Sequence, residues 1–421
     1  MTKVIRCRLE KVIDELSIFP AERAGFRKRF SKVDHIHTVN IILEKSHEYN
    51  VNAYLMFVDF RKAFDSVELP AIWHALESFG IEQELIRVIQ LLYANGTAAI
   101  KVGNQLAELN IQRGVRQGDS LSSLLFILTL QYALNNVNRL GKGFRMGEAL
   151  LSYLAYADDV VLLAHDCEGL QALSDALVCE TSKNGLSVNI SKTKWIKSYH
   201  GAAAKENETI EGKMERVNEF IYLGQLITCP RNPMKEMQRR IQAGREHYFK
   251  YRMFLRSPSI EIRLKRKLIH SCILPTILYG CETWVWTREL AIALRSAQRR
   301  LEQTILGIPL SRKIKARVIR RRTGLKKWVL VALRRKWICA KKVATGTQTW
   351  VHIATDWTPQ SRRSQGRPRT RWIDDVAKFK GRRAKDVMSN WKTLITGDVK
   401  TAEFYAKTVQ HLLYRCDIET E

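Results

Sequence analysis

Leu150-Leu151-Ser152-Tyr153-Leu154-Ala155-Tyr156-Ala157-Asp158-Asp159-Val160-Val161-Leu162-Leu163-Ala164 is the stretch whose reading decides the fold. Two apolar runs, each the length of a strand, flank a pair of adjacent carboxylates. The pattern predicts a β-hairpin with Asp158 and Asp159 at its tip. Two acids held that close repel and raise each other's pKa unless a cation sits between them. A hard divalent cation with oxygen ligands is the natural partner. A bare Asp-Asp is more often a polar turn between core strands, so the neighbours have to decide.

Asp59 supplies the third acid. It ends the apolar run Ala53-Tyr54-Leu55-Met56-Phe57-Val58, which reads as a buried strand, and Arg61-Lys62-Ala63-Phe64-Asp65-Ser66 then leads into a helix. One acid at the end of a core strand beside two at a hairpin tip is a two-metal constellation. Two ions about 3.5–4 Å apart can activate a hydroxyl nucleophile and stabilise a phosphate leaving group. Between these boxes, Gly114-Val115-Arg116-Gln117-Gly118-Asp119-Ser120 reads as a turn with a good N-cap running into an apolar helix over Leu121–Leu134. Gly118 allows close backbone approach there, and Gln117 can hydrogen-bond a nucleotide or template base. The backbone N–H groups of Lys62 and Ala63, at a helix start, suit phosphate oxygens.

In order and spacing these boxes resemble the reverse transcriptases of non-LTR (LINE-type) retrotransposons. The resemblance implies an α+β right-hand polymerase. In it, residues 1–57 are partial fingers and 58–230 a palm with an antiparallel sheet and inserted fingers elements. Residues 231–310 are a helical thumb, and 311–421 a basic nucleic-acid-binding region. It implies that Asp59, Asp158 and Asp159 are catalytic and hold two Mg²⁺ ions, with Mn²⁺ as an alternative. It also implies that Arg27 contacts the incoming triphosphate and that Phe64 is the platform under its sugar. Lys192, in Gly185-Leu186-Ser187-Val188-Asn189-Ile190-Ser191-Lys192, serves the leaving pyrophosphate, and Leu223-Gly224 grip the primer 3′ end. The partners implied are template RNA, a DNA primer or target, and deoxynucleoside triphosphates. This chain departs from the family pattern at Arg23, Lys32 and Ser123, where Gln, Thr and Pro are usual.

Each role has a plainer competitor. Arg27 could be a surface arginine, Phe64 ordinary core packing, and Lys192 an exposed strand-end lysine. Asp34-His35-Ile36 is expected to open an amphipathic helix, and Gly201–Met214 to be a mobile loop. Residues 231–310 read as three helices, Met234–Phe254, Ile260–Ile277 and Glu289–Leu306.

Charge divides the chain. Residues 1–200 carry 23 Lys/Arg against 22 Asp/Glu, whereas residues 201–421 carry 47 against 20, so nearly all of the net +28 lies in the second part. A nearly neutral catalytic part joined to a strongly basic one predicts a polyanion partner. Residues 312–342 hold 14 Lys/Arg and no Asp/Glu, interleaved with Trp328 and Trp337, which predicts phosphate contacts and stacking on RNA. The same stretch could serve as a nuclear-localisation signal. Gly366-Arg367-Pro368-Arg369 is a weak AT-hook pattern, and Asp374-Asp375 reads as a helix start and not a second catalytic pair. Eight scattered cysteines without metal spacing read as reduced thiols. No apolar run reaches the ~18 residues of a membrane span, and no signal-peptide pattern opens the chain. The expected setting is therefore intracellular, in the nucleus or a cytoplasmic ribonucleoprotein, with no membrane partner. The polymerase boxes begin almost at Met1, so the expectation is a truncated chain without the upstream endonuclease, extending primers weakly. The alternative is a catalytically silent remnant that binds nucleic acid through its basic half.

Overall fold

The structure is a computed structural model, and it describes residues 2–27, 30–94, 97–102, 105–110, 113–198, 209–210, 214–309, 311–346, 349–363, 369–374, 376, 402 and 405–409. The chain forms two compact units. The first comprises residues 1–35, 45–223 and 356–363, and the second residues 36–44, 224–355 and 364–421.

The chain opens with α1 (Thr2–Glu15) and α2 (Lys32–Tyr49), then β1 (Tyr54–Val58), α3 (Ala63–Ser66), α4 (Leu69–Ser78) and α5 (Gln83–Ala94). The hairpin strands β2 (Thr97–Val102) and β3 (Gln105–Asn110) follow, then α6 (Ser122–Asn138), β4 (Phe144–Met146) and β5 (Ala149–Leu151). Next come β6 (Tyr153–Tyr156), β7 (Asp159–Ala164), α7 (Cys167–Ser182), β8 (Lys194–Lys197), β9 (Glu215–Arg216) and β10 (Glu219–Tyr222). The central sheet has five strands in the order β6-β7-β1-β8-β9. The first four pair antiparallel and β9 joins β8 in parallel, a small departure from the expected all-antiparallel sheet. Every residue of β1 is buried, and so is all of β7 beyond Asp159. A strand buried on both faces needs a continuous apolar run and not an alternating one, which is what Tyr54–Val58 and Val160–Ala164 provide. The apolar faces of α6 and α7 join these strands in one core, with Leu125, Leu128, Leu162, Leu173 and Trp195 each at most 1% exposed.

Three expectations change. The helix after Asp59 is a single turn, α3, because Asp65 N–H already closes on Lys62 O and the chain turns away at Val67. Helix α2 is well capped by a Ser31/Asp34 box and by Asn50 in the left-handed region. It is not amphipathic, since Asp34–Leu43 are buried without a break. Ser122, not Leu121, begins α6, and no side chain caps it. The Asp119 carboxylate instead accepts from Leu121 N–H, and Ser122 Oγ donates to Arg116 O. Ser123 takes the place of the usual proline in this first turn.

Beyond its part of α2, the second unit contains β11 (Gln225–Thr228) and then is helical: α8 (Pro233–Lys250), α9 (Arg252–Arg256), α10 (Ile262–Leu268), α11 (Leu274–Ile277), α12 (Arg288–Ile305), α13 (Ala316–Thr323), α14 (Trp328–Thr345) and all but the last residue of α15 (Trp350–Asp356). The helix expected over Met234–Phe254 breaks at Tyr251. The one expected over Ile260–Ile277 carries a π-turn at Ile269–Ile273. Pro275, two residues on, lacks the N–H that a regular helix would give to Ser271 O, and a widened turn accommodates that loss. Trp328 and Trp337 are each 1% exposed, so these rings are core and not the stacking surface expected of them. Lys336 beside them is buried as well, donating to Trp284 O and Trp372 O. The Gly201–Met214 stretch falls mostly outside the described residues, as do residues 366–368 and 375 of the Gly366–Asp375 box. Within the latter, Trp372 N–H donates to Glu44 and Asp374 pairs with Arg371, in keeping with a structural role for that acid. No helix among the described residues is long and apolar enough to cross a membrane.

Candidate active site

Strand register brings the three acids together. β1 pairs antiparallel with β7 up to Val58↔Val160, so one further residue along each strand sets Asp59 beside Asp159. β6 and β7 are joined by the hairpin predicted from sequence, with Tyr156 opposite Asp159. Ala157 at its tip is left-handed (φ 56°), which turns the chain sharply and presents Asp158 and Asp159 in succession. The backbone of Asp59 is clamped from the other side. Its N–H donates to Thr193 Oγ1 (3.2 Å), its carbonyl accepts from Asn189 N–H (2.7 Å), and Arg61 N–H donates to Ser187 O (2.9 Å). The Gly185–Thr193 segment thus fixes the direction in which Asp59 leaves its strand.

The electrostatics are those of carboxylates withdrawn from water and then crowded by like charges. Burial, helped by the Asp59 charge, raises the Asp158 pKa. Asp159, whose surface reaches solvent but whose surroundings are mostly protein, is pushed up to about 6. Desolvation contributes most, Asp158 next, and the ammonium of Lys32 works in the opposite direction. Lys32 is held nearby over the Tyr156 ring (5.2 Å). Asp59 Oδ2 is buried without a hydrogen-bond partner, and Lys192 Nζ forms an ion pair with it at 3.9 Å. A buried carboxylate oxygen without a hydrogen bond and two acids with raised pKa are a donor set that a divalent cation fits. Among the described residues the side chains do not close into a group of three that could hold a metal as they stand. A bound ion would have to draw the carboxylates inward and displace Lys192.

The other expected residues surround this centre unevenly. Phe64 is half-buried and lies against Phe126 (centroids 4.2 Å apart), so one part of the ring is committed to packing. Lys62 is left-handed (φ 46°), Ala63 is buried, and α3 is too short for a helix dipole to add to its N–H groups. Gln117 and Gly118 are exposed on a turn in which Gly118 has φ 84°. Arg27 is occupied. Its guanidinium donates to Pro20 O and Arg23 O and lies over Phe30 (4.3 Å), and burial lowers its pKa. Leu223 and Gly224 form a tight turn with φ of 46° and 80°, and Gly224 O accepts from Arg239 and Arg240.

Sequence reading missed two glycines. A Cβ on Gly25 would stand 2.4 Å from Ala157 N, because residues 22–25 run along β6 through Ala24 N–H to Ala155 O and Ala155 N–H to Glu22 O. A Cβ on Gly114 (φ 86°) would stand 2.8 Å from Asp65 O. Buried Arg23, in place of the usual Gln, donates through Nε to Gln131 Oε1 (2.5 Å), and burial lowers its pKa to about 10. Gly25 sits in the common pattern Ala24-Gly25-Phe26 and Gly114 between Arg113 and Val115, and neither setting marks a close backbone approach.

Residues 1–227 match the family described as reverse transcriptase (RNA-dependent DNA polymerase). The chain belongs to the reverse transcriptase family. Its sheet is the palm of a right-hand polymerase, and its class is that of RNA-directed DNA polymerases, which are nucleotidyltransferases. An uncharacterized transposon-derived protein of Caenorhabditis elegans is 28% identical over 260 residues, covering 58% of this chain and 91% of its own. The Pol polyprotein of a type-2 retrotransposable element from Drosophila melanogaster is 29% identical over 217 residues, 49% of this reverse transcriptase and 20% of that protein. A Pol polyprotein of an R2 element from Popillia japonica is 25% identical over 327 residues, covering 72% and 42%. These relatives bear out the non-LTR resemblance, and this chain spans less than half the length of either Pol polyprotein. Telomerase from Candida albicans, solved with a fragment of telomeric RNA, aligns with a TM-score of 0.46 at 12% identity, over 77% of this chain and 56% of that one.

Proposed function

We propose that this reverse transcriptase extends a DNA primer on an RNA template at the carboxylates of Asp59, Asp158 and Asp159. The observation that carries the reading is the register that sets Asp59 beside Asp159, with Asp59 Oδ2 buried, without a hydrogen bond and 3.9 Å from Lys192 Nζ. Mg²⁺ or Mn²⁺ bound there would lower the pKa of the primer hydroxyl and neutralise charge on the phosphates. The 3′-oxygen attacks the α-phosphorus of a deoxynucleoside triphosphate, its proton passes to solvent, and the bond from the α-phosphorus to the bridging oxygen breaks to release pyrophosphate. The three acids orient the reacting oxygens, and their strand-end backbones fix that geometry in advance. Lys192, released from Asp59, supplies charge to the leaving pyrophosphate. The free edge of Phe64 lies under the sugar, Gln117 and Gly118 border the base, and the N–H groups of Lys62 and Ala63 face phosphate. Arg27 reaches the triphosphate only after leaving its turn at Pro20. The Leu223–Gly224 turn supports the primer end.

We assign residues 1–57 to partial fingers, 58–230 to the palm region, 231–310 to a thumb and 311–421 to a basic nucleic-acid-binding region. An intracellular ribonucleoprotein is the setting in which template, primer and triphosphates would meet. A second reading, a silent remnant that binds nucleic acid, is favoured by the occupied guanidinium of Arg27. Primer extension on a homopolymer RNA template separates the two. Wild-type chain should extend, and Asp158→Asn should lose extension by several orders of magnitude while keeping its melting temperature and RNA affinity. A mutant that extends at the wild-type rate would reject the assignment, and a wild-type chain that binds but never extends would establish the silent remnant.

A further inference from the structure

A cleft in the second unit, between α8, α11, α12 and the start of α14, plays no part in the chemistry above. It encloses about 220 Å³. That is more than the ~150 Å³ cavity that takes up one benzene ring and less than the ~300 Å³ at which drug-sized sites begin. The space suits one planar ring system. Three aromatic side chains, Tyr248, Phe249 and Trp328, contribute to its wall, and the charged residues that line it are Arg245 and Arg300. Trp328 is fixed through its backbone N–H to Gln298 Oε1 (2.9 Å) and is itself buried. At the mouth, Phe249 is 62% exposed, and Met253 just beyond it is 81% exposed. The cleft therefore offers the rings of Tyr248 and Phe249 and two guanidinium groups, with no carboxylate lining it.

We propose that this cleft receives one unstacked nucleobase of the bound nucleic acid, with the flanking phosphates on Arg245 and Arg300. Aromatic walls stack on any base, and guanidinium forks onto phosphate. A peptide partner would leave the two arginines unmatched unless it were acidic. The inference rests on the nucleic-acid reading of the chain, and the test is arranged so that the two can fail separately.

The full chain is titrated with labelled RNA–DNA duplexes that are fully paired, carry one unpaired nucleotide, or carry one unpaired abasic residue. The unpaired nucleotide should tighten binding about tenfold, the worth of one stacked base, and the abasic residue should not. Ala297→Phe fills the cleft and keeps both arginines; it should bring the tenfold ratio to about one while leaving paired-duplex affinity unchanged. Equal affinity for all three duplexes overturns the inference and leaves the nucleic-acid reading standing. Equal gains from the nucleotide and the abasic residue also overturn it, because bending of the duplex and not the base is then being read. No binding to any duplex removes both. A dimer in sedimentation that Ala297→Phe dissolves, without any bulge preference, would assign the cleft to a second copy and reject the nucleobase.

Discussion

Asp159 shows at the level of one residue how the fold stores charge for its chemistry. Its pKa is raised to about 6 by partial burial and by Asp158 and Asp59, so the ionised form is disfavoured in the folded chain. For a carboxylate raised in this way, the stability it contributes is fully present below the unfolded pKa near 4 and is lost as pH rises through about 6. Without divalent ions the protein should therefore melt higher at pH 5 than at pH 7 on account of this group. A cation that binds the ionised form reverses the dependence. Added Mg²⁺ should raise the melting temperature at pH 7 and have little effect at pH 5, and Asp159→Asn should flatten both trends. Melting curves that keep the same pH and Mg²⁺ dependence in the mutant would place the titrating group elsewhere. Phe64 is a second single-residue case. Its contact with Phe126 accounts for one side of the ring and leaves the sugar-facing role to the other. Phe64→Val should raise ribonucleotide incorporation relative to deoxynucleotide and cost about 1–3 kcal/mol in stability. A loss of stability with an unchanged incorporation ratio would make Phe64 a packing residue alone.

At the level of elements, the site is a strand end, a hairpin tip and the segment that braces them. Residues 22–25 press against the tip so closely that Gly25 has no room for a Cβ beside Ala157 N. Gly25→Val should push the tip away from Asp59 and reduce extension at least ~100-fold, as displacements near 1 Å do. Overpacking at such a contact costs about 1–3 kcal/mol, so the chain should still fold. If Gly25→Val extends primers normally, the tip does not depend on this brace. The hairpin and the Asp59 strand were legible because both are unbroken apolar runs ending in acids, and a buried strand leaves no other pattern. The contact of Gly25 with Ala157 was not legible, since the two are far apart in sequence and a glycine in a loop has many explanations. Nor was the use of Trp328 and Trp337 as core. A tryptophan among arginines looks the same in sequence whether its ring faces a nucleobase or a helix. The short reach of α3 escaped for a similar reason. Arg61–Ser66 carries good helix formers, and what ends the helix is Gly114 N–H bonding to Val67 O and Val115 N–H to Phe64 O, from a distant box.

Over the whole molecule the deciding quantity is how many of the cations in the basic part are free to meet phosphate. Residues 201–421 carry 47 Lys/Arg against 20 Asp/Glu, but several of those cations are used internally. Arg231 pairs with Glu44 (2.6 Å), Arg240 with Glu236 (2.6 Å) and Arg320 with Glu302 (3.3 Å), and Lys336 is buried against backbone carbonyls. Arg312, Lys313, Lys315, Arg317, Arg321 and Arg322 are in contrast solvent-facing or nearly so. The footprint should then be smaller than the net charge suggests. Six to ten phosphate contacts would lower affinity by ~10³–10⁵ between 50 and 200 mM salt, with a log–log slope near −0.9 per contact on duplex DNA and −0.7 on single strands. The full chain is the right object for this measurement. A fragment beginning at Arg231 would lose Ile36–Glu44, and with it the Glu44 carboxylate that holds both Arg231 and Trp372 N–H. Removing that acid from a buried ionic cluster costs about 3–5 kcal/mol, so weak binding by the fragment would report on folding and not on charge. Replacing Arg321 and Arg322 together by Gln should reduce the slope by about the two contacts they make and weaken all sequences alike. A slope unchanged by that double substitution would move the footprint off α13, and a flat salt dependence of the whole chain would remove the polyanion partner altogether.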